Sequence, residues 1–249
     1  MKTPHGKQTE TVRFVQFFIR YRFAFLLTVV MLFVAAIGIG CVTVILNTSH
    51  KKRLAEIDAI SFKLTSALNR SSSVADNADS EDSQNPLGGT AKNEADEKAK
   101  SDMRSVALGE LEPFASAKNI VGTRGNMLKA ELFFQNKQWA EARDAWLLAA
   151  SIQPKAYTAR LAWYNAAVCC EELGDTDGAL SYYAKAANDE NFLLKTHAIA
   201  NMGRIKDESG DYEGAALHYA QLADRYPDDL WAELAQSRLI ALRAEKRIQ

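Results

Sequence analysis

The chain has 249 residues, with 30 Lys and Arg against 31 Asp and Glu and a formal net charge of −1. This balance gives no global field for nucleic acid, and no basic patch is interleaved with aromatic residues, so no nucleic-acid partner is expected. Three cysteines without a CxxC pair argue against a disulfide framework and against a zinc site.

An apolar segment lies close to the N-terminus. Residues 23–46 contain no charged residue, and at about 1.5 Å per residue a helix of this length spans a hydrocarbon core of about 30 Å. Arg20 and Arg22 precede the segment, and Lys51 and Lys52 follow it. The sequence therefore predicts a short basic tail over residues 1–22 and a transmembrane helix over residues 23–46.

This segment has two other interpretations. A cleaved signal peptide fits poorly because the apolar run is long and no A-x-A site follows it cleanly. Lipidation at Cys41 is the second, since residues 38–41 loosely resemble a lipobox, although Gly38 stands where Leu is usual. Ala36 and Gly40 form a small-xxx-small pair, which leaves dimerisation of the span open.

The orientation follows from the flanking charges. Slightly more basic residues precede the span than follow it, which favours a cytoplasmic N-terminus and an extracytoplasmic C-terminal domain. The expected location is thus the inner (cytoplasmic) membrane, with one span and a periplasmic C-terminal domain.

Two segments of unlike composition follow the span. Over residues 47–70, apolar side chains recur at helical spacing, which predicts a juxtamembrane stalk helix. A rigid stalk, a pairing surface for a second copy and a helix on the bilayer surface are its three interpretations. Residues 71–102 are acidic and have no aromatic residue, so they cannot bury enough apolar surface to offset chain entropy and are predicted to be a disordered acidic linker.

Three similar segments follow in the C-terminal part. Ala142, Ala179 and Ala215 recur at intervals of 37 and 36 residues, and an aromatic residue follows each of them by four. These aromatic residues are Trp146, Tyr183 and Tyr219. A small residue four positions from an aromatic one shares its helix face, so a neighbouring helix can approach closely while the ring fills the gap.

This spacing, with Pro154 and Pro227 ending two of the segments, resembles the tetratricopeptide repeat family over residues 123–229. The resemblance implies an all-α fold: an N-terminal transmembrane helix, then a helical-hairpin solenoid of about three repeats with a C-terminal capping helix. The domain is predicted over 103–249, its repeats over about 123–156, 160–193 and 196–229, and the capping helix over 230–246. Asn126 and Lys206 stand where the family has apolar groups.

The family resemblance also implies a groove lined by the first helix of each repeat, which takes a protein or peptide segment. The predicted lining comprises Arg124, Met127, Glu131 and Phe134; Tyr164, Val168, Glu171 and Glu172; and His197, Arg204 and Asp207. This set predicts a partner with apolar anchors and some positive charge. Members that clamp a C-terminal carboxylate carry Lys, Arg and Asn at five positions, of which only Asn165 fits here, so no such clamp is expected.

The order of tail, span, tether and repeat domain is similar to that of YfgM-like bacterial membrane proteins. That resemblance implies an ancillary factor of the protein-export channel and its chaperones. The alternative is a lipoprotein, lipidated at Cys41, of an outer-membrane assembly or solute-transport complex. No enzyme, catalytic residue, metal or cofactor is expected, because the histidines are scattered and no P-loop, H-E-x-x-H or G-x-S-x-G motif occurs.

Overall fold

The computed structural model describes residues 6–78 and 88–249, with side chains for residues 21, 23, 26–69 and 97–249. Within these ranges the chain forms nine α-helices and no strand, which confirms the predicted all-α fold. The helices are α1 (Gly6–Ala78), α2 (Gly88–Ala115), α3 (Ile120–Gln135), α4 (Trp139–Ile152), α5 (Tyr157–Glu172), α6 (Thr176–Ala187), α7 (Lys195–Glu208), α8 (Tyr212–Arg225) and α9 (Leu230–Ala244). The chain divides into two units, Met1–Lys52 and Arg53–Gln249.

The first unit holds the apolar part of α1. The segment Leu26–Asn69 contains a window of mean hydropathy 2.9, none of which is buried, and it is the one candidate membrane span in the described part of the chain. Phe33 and Ile39 are 68% and 66% exposed, an arrangement that favours lipid over water as the surrounding solvent. This supports single-pass membrane anchoring. Cys41 is exposed within the same helix.

The second unit contains three helical hairpins, α3–α4, α5–α6 and α7–α8, followed by the single helix α9. Gly174 and Gly210 adopt left-handed φ angles of 72° and 82° at the turns of the second and third hairpins. Asp175 and Asp211 follow as N-caps, and their carboxylates accept hydrogen bonds from the next helix at 2.9 and 3.0 Å. Local sequence therefore ends one helix and starts the next at both turns.

The repeating alanines and aromatic residues make the core of this unit. Ala142, Ala179 and Ala215 are fully buried, and the aromatic residue after each is buried beside them. The helices α7 and α8 approach closely at Gly203, where an added Cβ would lie 2.6 Å from the Tyr219 ring. The alternation of small residue and ring seen in the sequence thus sets how closely these helices pack.

The two polar residues that stand where the family has apolar groups both interact with a complementary group. The buried Asn126 amide donates to the carbonyls of Ala115 and Gly122, each at 2.8 Å, and so ties α3 to the end of α2. Lys206 forms an ion pair with Asp211 at 2.9 Å. Polar side chains are therefore accommodated at these positions because each meets a complementary group.

The stalk predicted over residues 47–70 is helical, as part of α1, but the structure corrects the interpretation of its apolar face. Ile57 and Leu64 are buried in one cluster with Leu111 of α2 and with Val121 and Leu132 of α3. Helical periodicity shows that a face is apolar but not which surface covers it. Here α2 and α3 cover it, so the face is not free for the bilayer or for a second copy.

The structure also differs from the linker predicted over residues 71–102. The α1 helix continues to Ala78 and α2 begins at Gly88, while residues 79–87 lie outside the described residues. Ala, Glu and Lys, which are frequent in this segment, are strong helix formers, and the core contacts of Ala107 and Leu111 stabilise α2 further along. Low hydrophobicity was therefore a poor guide to helix content, and the borders of the domains remain a prediction.

Candidate binding groove

The helices α3, α5 and α7 are the first helices of the three hairpins, and α9 follows the third hairpin. We call α3–α5 the first junction, α5–α7 the second and α7–α9 the third. A cavity of about 400 Å³ lies at the first junction, and we call it the α3–α5 groove. It is lined by Arg124, Met127, Glu131, Phe134, Trp146, Leu161, Asn165 and Val168.

Five of the eleven residues predicted from sequence meet in the α3–α5 groove: Arg124, Met127, Glu131, Phe134 and Val168. The apolar lining is only partly buried, whereas Trp146 from the second helix of the repeat is 7% exposed. The ring of Phe134 meets Trp139 edge-on, with centroids 4.7 Å apart. The groove therefore has an apolar surface built on a rigid aromatic base.

One buried polar atom in this lining has no hydrogen-bond partner among the residues that the structure describes. The indole Nε1 of Trp146 makes no hydrogen bond within the part of the chain that the structure describes. A buried donor left without an acceptor costs about 1–3 kcal/mol. A ligand that brings an acceptor would remove this cost.

The rim of the groove carries two opposite charges with different surroundings. Arg124 lies 3.3 Å from the carboxylate of Asp58 on α1. Glu131 is exposed and receives a 3.5 Å hydrogen bond from the Gln135 amide, but it forms no ion pair with the described residues. Among the described residues, the carboxylate of Glu131 is thus the rim charge without a counter-ion.

At the second junction the predicted groove residues contact one another. Glu171 accepts a 2.5 Å hydrogen bond from the Tyr183 hydroxyl and forms an ion pair with Arg204. The Tyr164 hydroxyl lies 2.9 Å from Nδ1 of His197. These four predicted residues therefore join α5 to α7. The cavity here, about 240 Å³, is lined largely by polar groups near the turns.

The third junction is bridged in the same way. Asp207 accepts hydrogen bonds of 2.6 and 2.9 Å from Arg238 of α9, which lower the pKa of its carboxyl. The Tyr219 hydroxyl lies 3.5 Å from the same carboxylate, and burial raises the pKa of Tyr219 to about 12. His197 stacks on Trp231 of α9 at 4.2 Å between ring centroids. The neighbouring cavity measures about 170 Å³.

Glu172 is exposed at the end of α5, and no cavity described here includes it. Burial raises the pKa of Cys169 to about 12 and that of Cys170 to about 11, so both thiols stay protonated at neutral pH. Among the described residues no three His, Cys, Asp or Glu side chains converge as a metal site.

The prediction omitted three residues that line the α3–α5 groove: Trp146, Leu161 and Asn165. The repeat pattern assigns Trp146 to the core, because this residue occupies the buried aromatic position. For Asn165 the sequence indicates only a match to the carboxylate clamp. One feature of the sequence could have identified Trp146 as a groove residue: the first repeat has Trp where the second and third have Tyr. An indole N–H can only donate a hydrogen bond, whereas a Tyr hydroxyl both donates and accepts.

Comparison with known proteins agrees with this geometry. Residues 198–229, which cover most of α7 and all of α8, match the family model described as tetratricopeptide repeat. The helical repeats are of the tetratricopeptide type. A "TPR repeat-containing protein" of Treponema pallidum (strain Nichols) is 35% identical over 113 residues. The match covers 45% of this chain and 47% of that relative, so the chain spans about half the length of the protein it resembles.

Tetratricopeptide repeats are in general scaffolds that bind other proteins rather than enzymes. The resemblance to YfgM-like proteins, which rests on the order of segments, stays a prediction.

Proposed function

We propose that this protein is a membrane-anchored scaffold whose repeat domain binds a segment of a partner protein in the α3–α5 groove. The observation that carries the proposal is the groove itself: about 400 Å³ with an apolar surface and a few polar groups at its rim. Ligand sites in general combine these two features. The apolar, unburied part of α1 supplies the membrane anchor.

The shape of the site favours a protein partner. The groove is formed by the first helices of two successive hairpins, and helical-repeat surfaces of this kind take extended or helical segments. A cavity of this size accommodates one or two large side chains of such a segment.

We further propose that the repeat domain lies in the periplasm, on an inner-membrane anchor, and assists protein export or envelope assembly. The slight excess of basic residues before the span supports this orientation, and the similarity to YfgM-like proteins supports the role. A reporter enzyme fused after Gln249 tests the orientation: activity restricted to the periplasmic reporter is expected, and activity of the cytosolic reporter would contradict the proposal.

Mass spectrometry of the mature N-terminus tests the anchor. The transmembrane anchor predicts that residues before Cys41 are retained. A mature chain that begins with a lipid-modified Cys41 would replace the inner-membrane scaffold by the lipoprotein of an outer-membrane assembly or solute-transport complex.

Photocrosslinking in native membranes tests partner binding. A benzophenone amino acid replaces Gln135, which is exposed at the rim of the groove one helical turn beyond Glu131, and a matched control replaces Glu213, which is exposed on α8. We expect one defined protein adduct, identified by mass spectrometry, from position 135 and none from position 213. Equal adducts from both positions, or none from position 135, would contradict the scaffold function.

A further inference from the structure

The three junctions carry different residues at equivalent positions. In the second and third repeats, the residue 12 positions before the buried tyrosine is a carboxylate that accepts a hydrogen bond from it: Glu171 for Tyr183 and Asp207 for Tyr219. In the first repeat, Phe134 lies 12 positions before Trp146. The acceptor that the other two repeats supply is therefore replaced by a benzyl group.

The first repeat also lacks the arginine that pairs with this carboxylate in the other two repeats. Arg204 pairs with Glu171 and Arg238 pairs with Asp207, so that each carboxylate joins two successive first helices. Val168 stands at the position of Arg204, 36 residues earlier. At the first junction an apolar pair, Phe134 and Val168, thus stands where the other junctions have an ion pair.

This exchange has two consequences. An ion pair across a junction fills it with charged side chains that already have their partners, as at the second and third junctions. The apolar pair leaves the α3–α5 groove open and leaves the Nε1 of Trp146 without an acceptor among the described residues. The first junction is the place on this face where an incoming segment gains both apolar burial and a hydrogen bond.

We propose that the first junction is the anchoring subsite of the scaffold, and that it selects a partner segment with an apolar side chain next to a basic one. The apolar side chain inserts between Phe134 and Val168. A backbone carbonyl of the segment accepts the hydrogen bond of Trp146, and the basic side chain pairs with Glu131. This inference rests on the proposed function and names the chemistry of the partner.

The two charged residues at the rim of the groove determine which charge the partner segment carries. Arg124 already pairs with Asp58 at 3.3 Å, whereas Glu131 has no cation among the described residues. An approaching basic group therefore gains an unpaired carboxylate, while an acidic one must compete with Asp58. The Nε1 of Trp146 is covered in the unbound chain, so the carbonyl of the segment reaches it when lining side chains shift. Met127 has a flexible apolar side chain in this lining.

The test transfers the ion pair of the second junction to the first. The double variant F134E/V168R places at the first junction the residue pair that Glu171 and Arg204 form at the second. The full-length protein in nanodiscs is titrated against a fluorescein-labelled hexapeptide whose central residues are leucine and lysine, flanked by glycine and serine. We expect the wild type to bind this probe and the double variant to bind it at least about tenfold more weakly.

Two further variants keep the test decisive if the double variant does not fold. E131K changes only an exposed rim charge, and it should weaken binding of the leucine–lysine probe while improving binding of a leucine–glutamate probe. Y183F removes a hydroxyl at the second junction and should leave both affinities unchanged. Equal affinity of wild type and E131K for both probes, or no binding of either probe by the wild type, would overturn the inference.

These outcomes separate the inference from the proposed function. If the benzophenone at position 135 captures a defined partner while F134E/V168R folds and retains that partner, the scaffold function stands and the anchoring subsite is elsewhere. If no position on this face captures a partner, the scaffold function fails as well.

Discussion

The first junction differs from the second and third although all three are built on the same backbone repeat. The second and third carry a tyrosine, a carboxylate and an arginine joined by hydrogen bonds. The first carries Trp146, Phe134 and Val168 around an open groove. A solenoid can therefore keep its core pattern constant and still make one junction available for binding, by exchanging two residues outside that pattern.

The largest effect is expected from truncating the aromatic residue of a bridged junction. Tyr183 is fully buried, so Y183A removes its ring packing and its hydrogen bond to Glu171 together. We expect the free energy of unfolding to fall by about 3–5 kcal/mol. Denaturant unfolding followed by circular dichroism measures this change; a loss below about 1 kcal/mol would contradict the stabilising role of Tyr183 at the second junction.

The close packing of α7 on α8 gives the next effect. The Cβ introduced by G203A would lie 2.6 Å from a ring carbon of the buried Tyr219, and overpacking of this kind costs roughly 1–3 kcal/mol even though Ala is the better helix former. The same substitution at Gly109, where an added Cβ meets nothing within 4 Å, is the control and should not destabilise the chain. Equal stability of both variants would contradict the tight packing.

The ion pair of the third junction predicts a dependence on pH. Hydrogen bonds from Arg238 lower the pKa of Asp207 in the folded chain, so the unfolded chain binds the proton more readily. The stabilisation is therefore complete above the ordinary aspartate pKa of about 4 and is lost as the pH falls through the lower folded value. We expect D207N to cost about 1–2 kcal/mol at pH 7 and progressively less in acid. A cost that does not change with pH would rule out the ionised pair.

The smallest expected effect is the difference in stability between removing two polar groups at matched positions, the Tyr183 hydroxyl and the Trp146 N–H. Y183F removes a hydroxyl that donates to Glu171 and should cost about 1 kcal/mol. Replacing Trp146 by its benzothiophene analogue removes an N–H without a described acceptor, so stability should stay the same or rise slightly. Thermal unfolding of both proteins measures the contrast, and a clear loss in the Trp146 analogue would mean that this N–H is satisfied in the free chain.

The sequence predicted the parts of the fold that local rules determine. Ala142, Ala179 and Ala215 gave the register of the hairpins, and Gly174 with Asp175 marked a helix end and the next N-cap. Packing between distant segments was not predictable in this way. The contact of Ile57 with Leu111 and Val121 joins three helices, and no periodicity within one helix identifies its partner.

The candidate site was predicted in part for the same reason. The first-helix positions followed from the repeat, and five of them line the α3–α5 groove. Sequence gave no means to tell that Glu171 and Asp207 are occupied by Arg204 and Arg238. It also could not show that the Trp146 indole has no acceptor within the described ranges, because hydrogen-bond satisfaction depends on where side chains of different helices lie.

The most direct measurement of the central claim is the ¹H–¹⁵N resonance of the Trp146 indole in the full-length protein. On titration with the leucine–lysine hexapeptide, we expect this resonance to move downfield because the N–H gains an acceptor, while the Trp231 indole at the third junction stays in place. A shift of the Trp231 resonance with none at Trp146 would contradict the assignment of the first junction as the binding site.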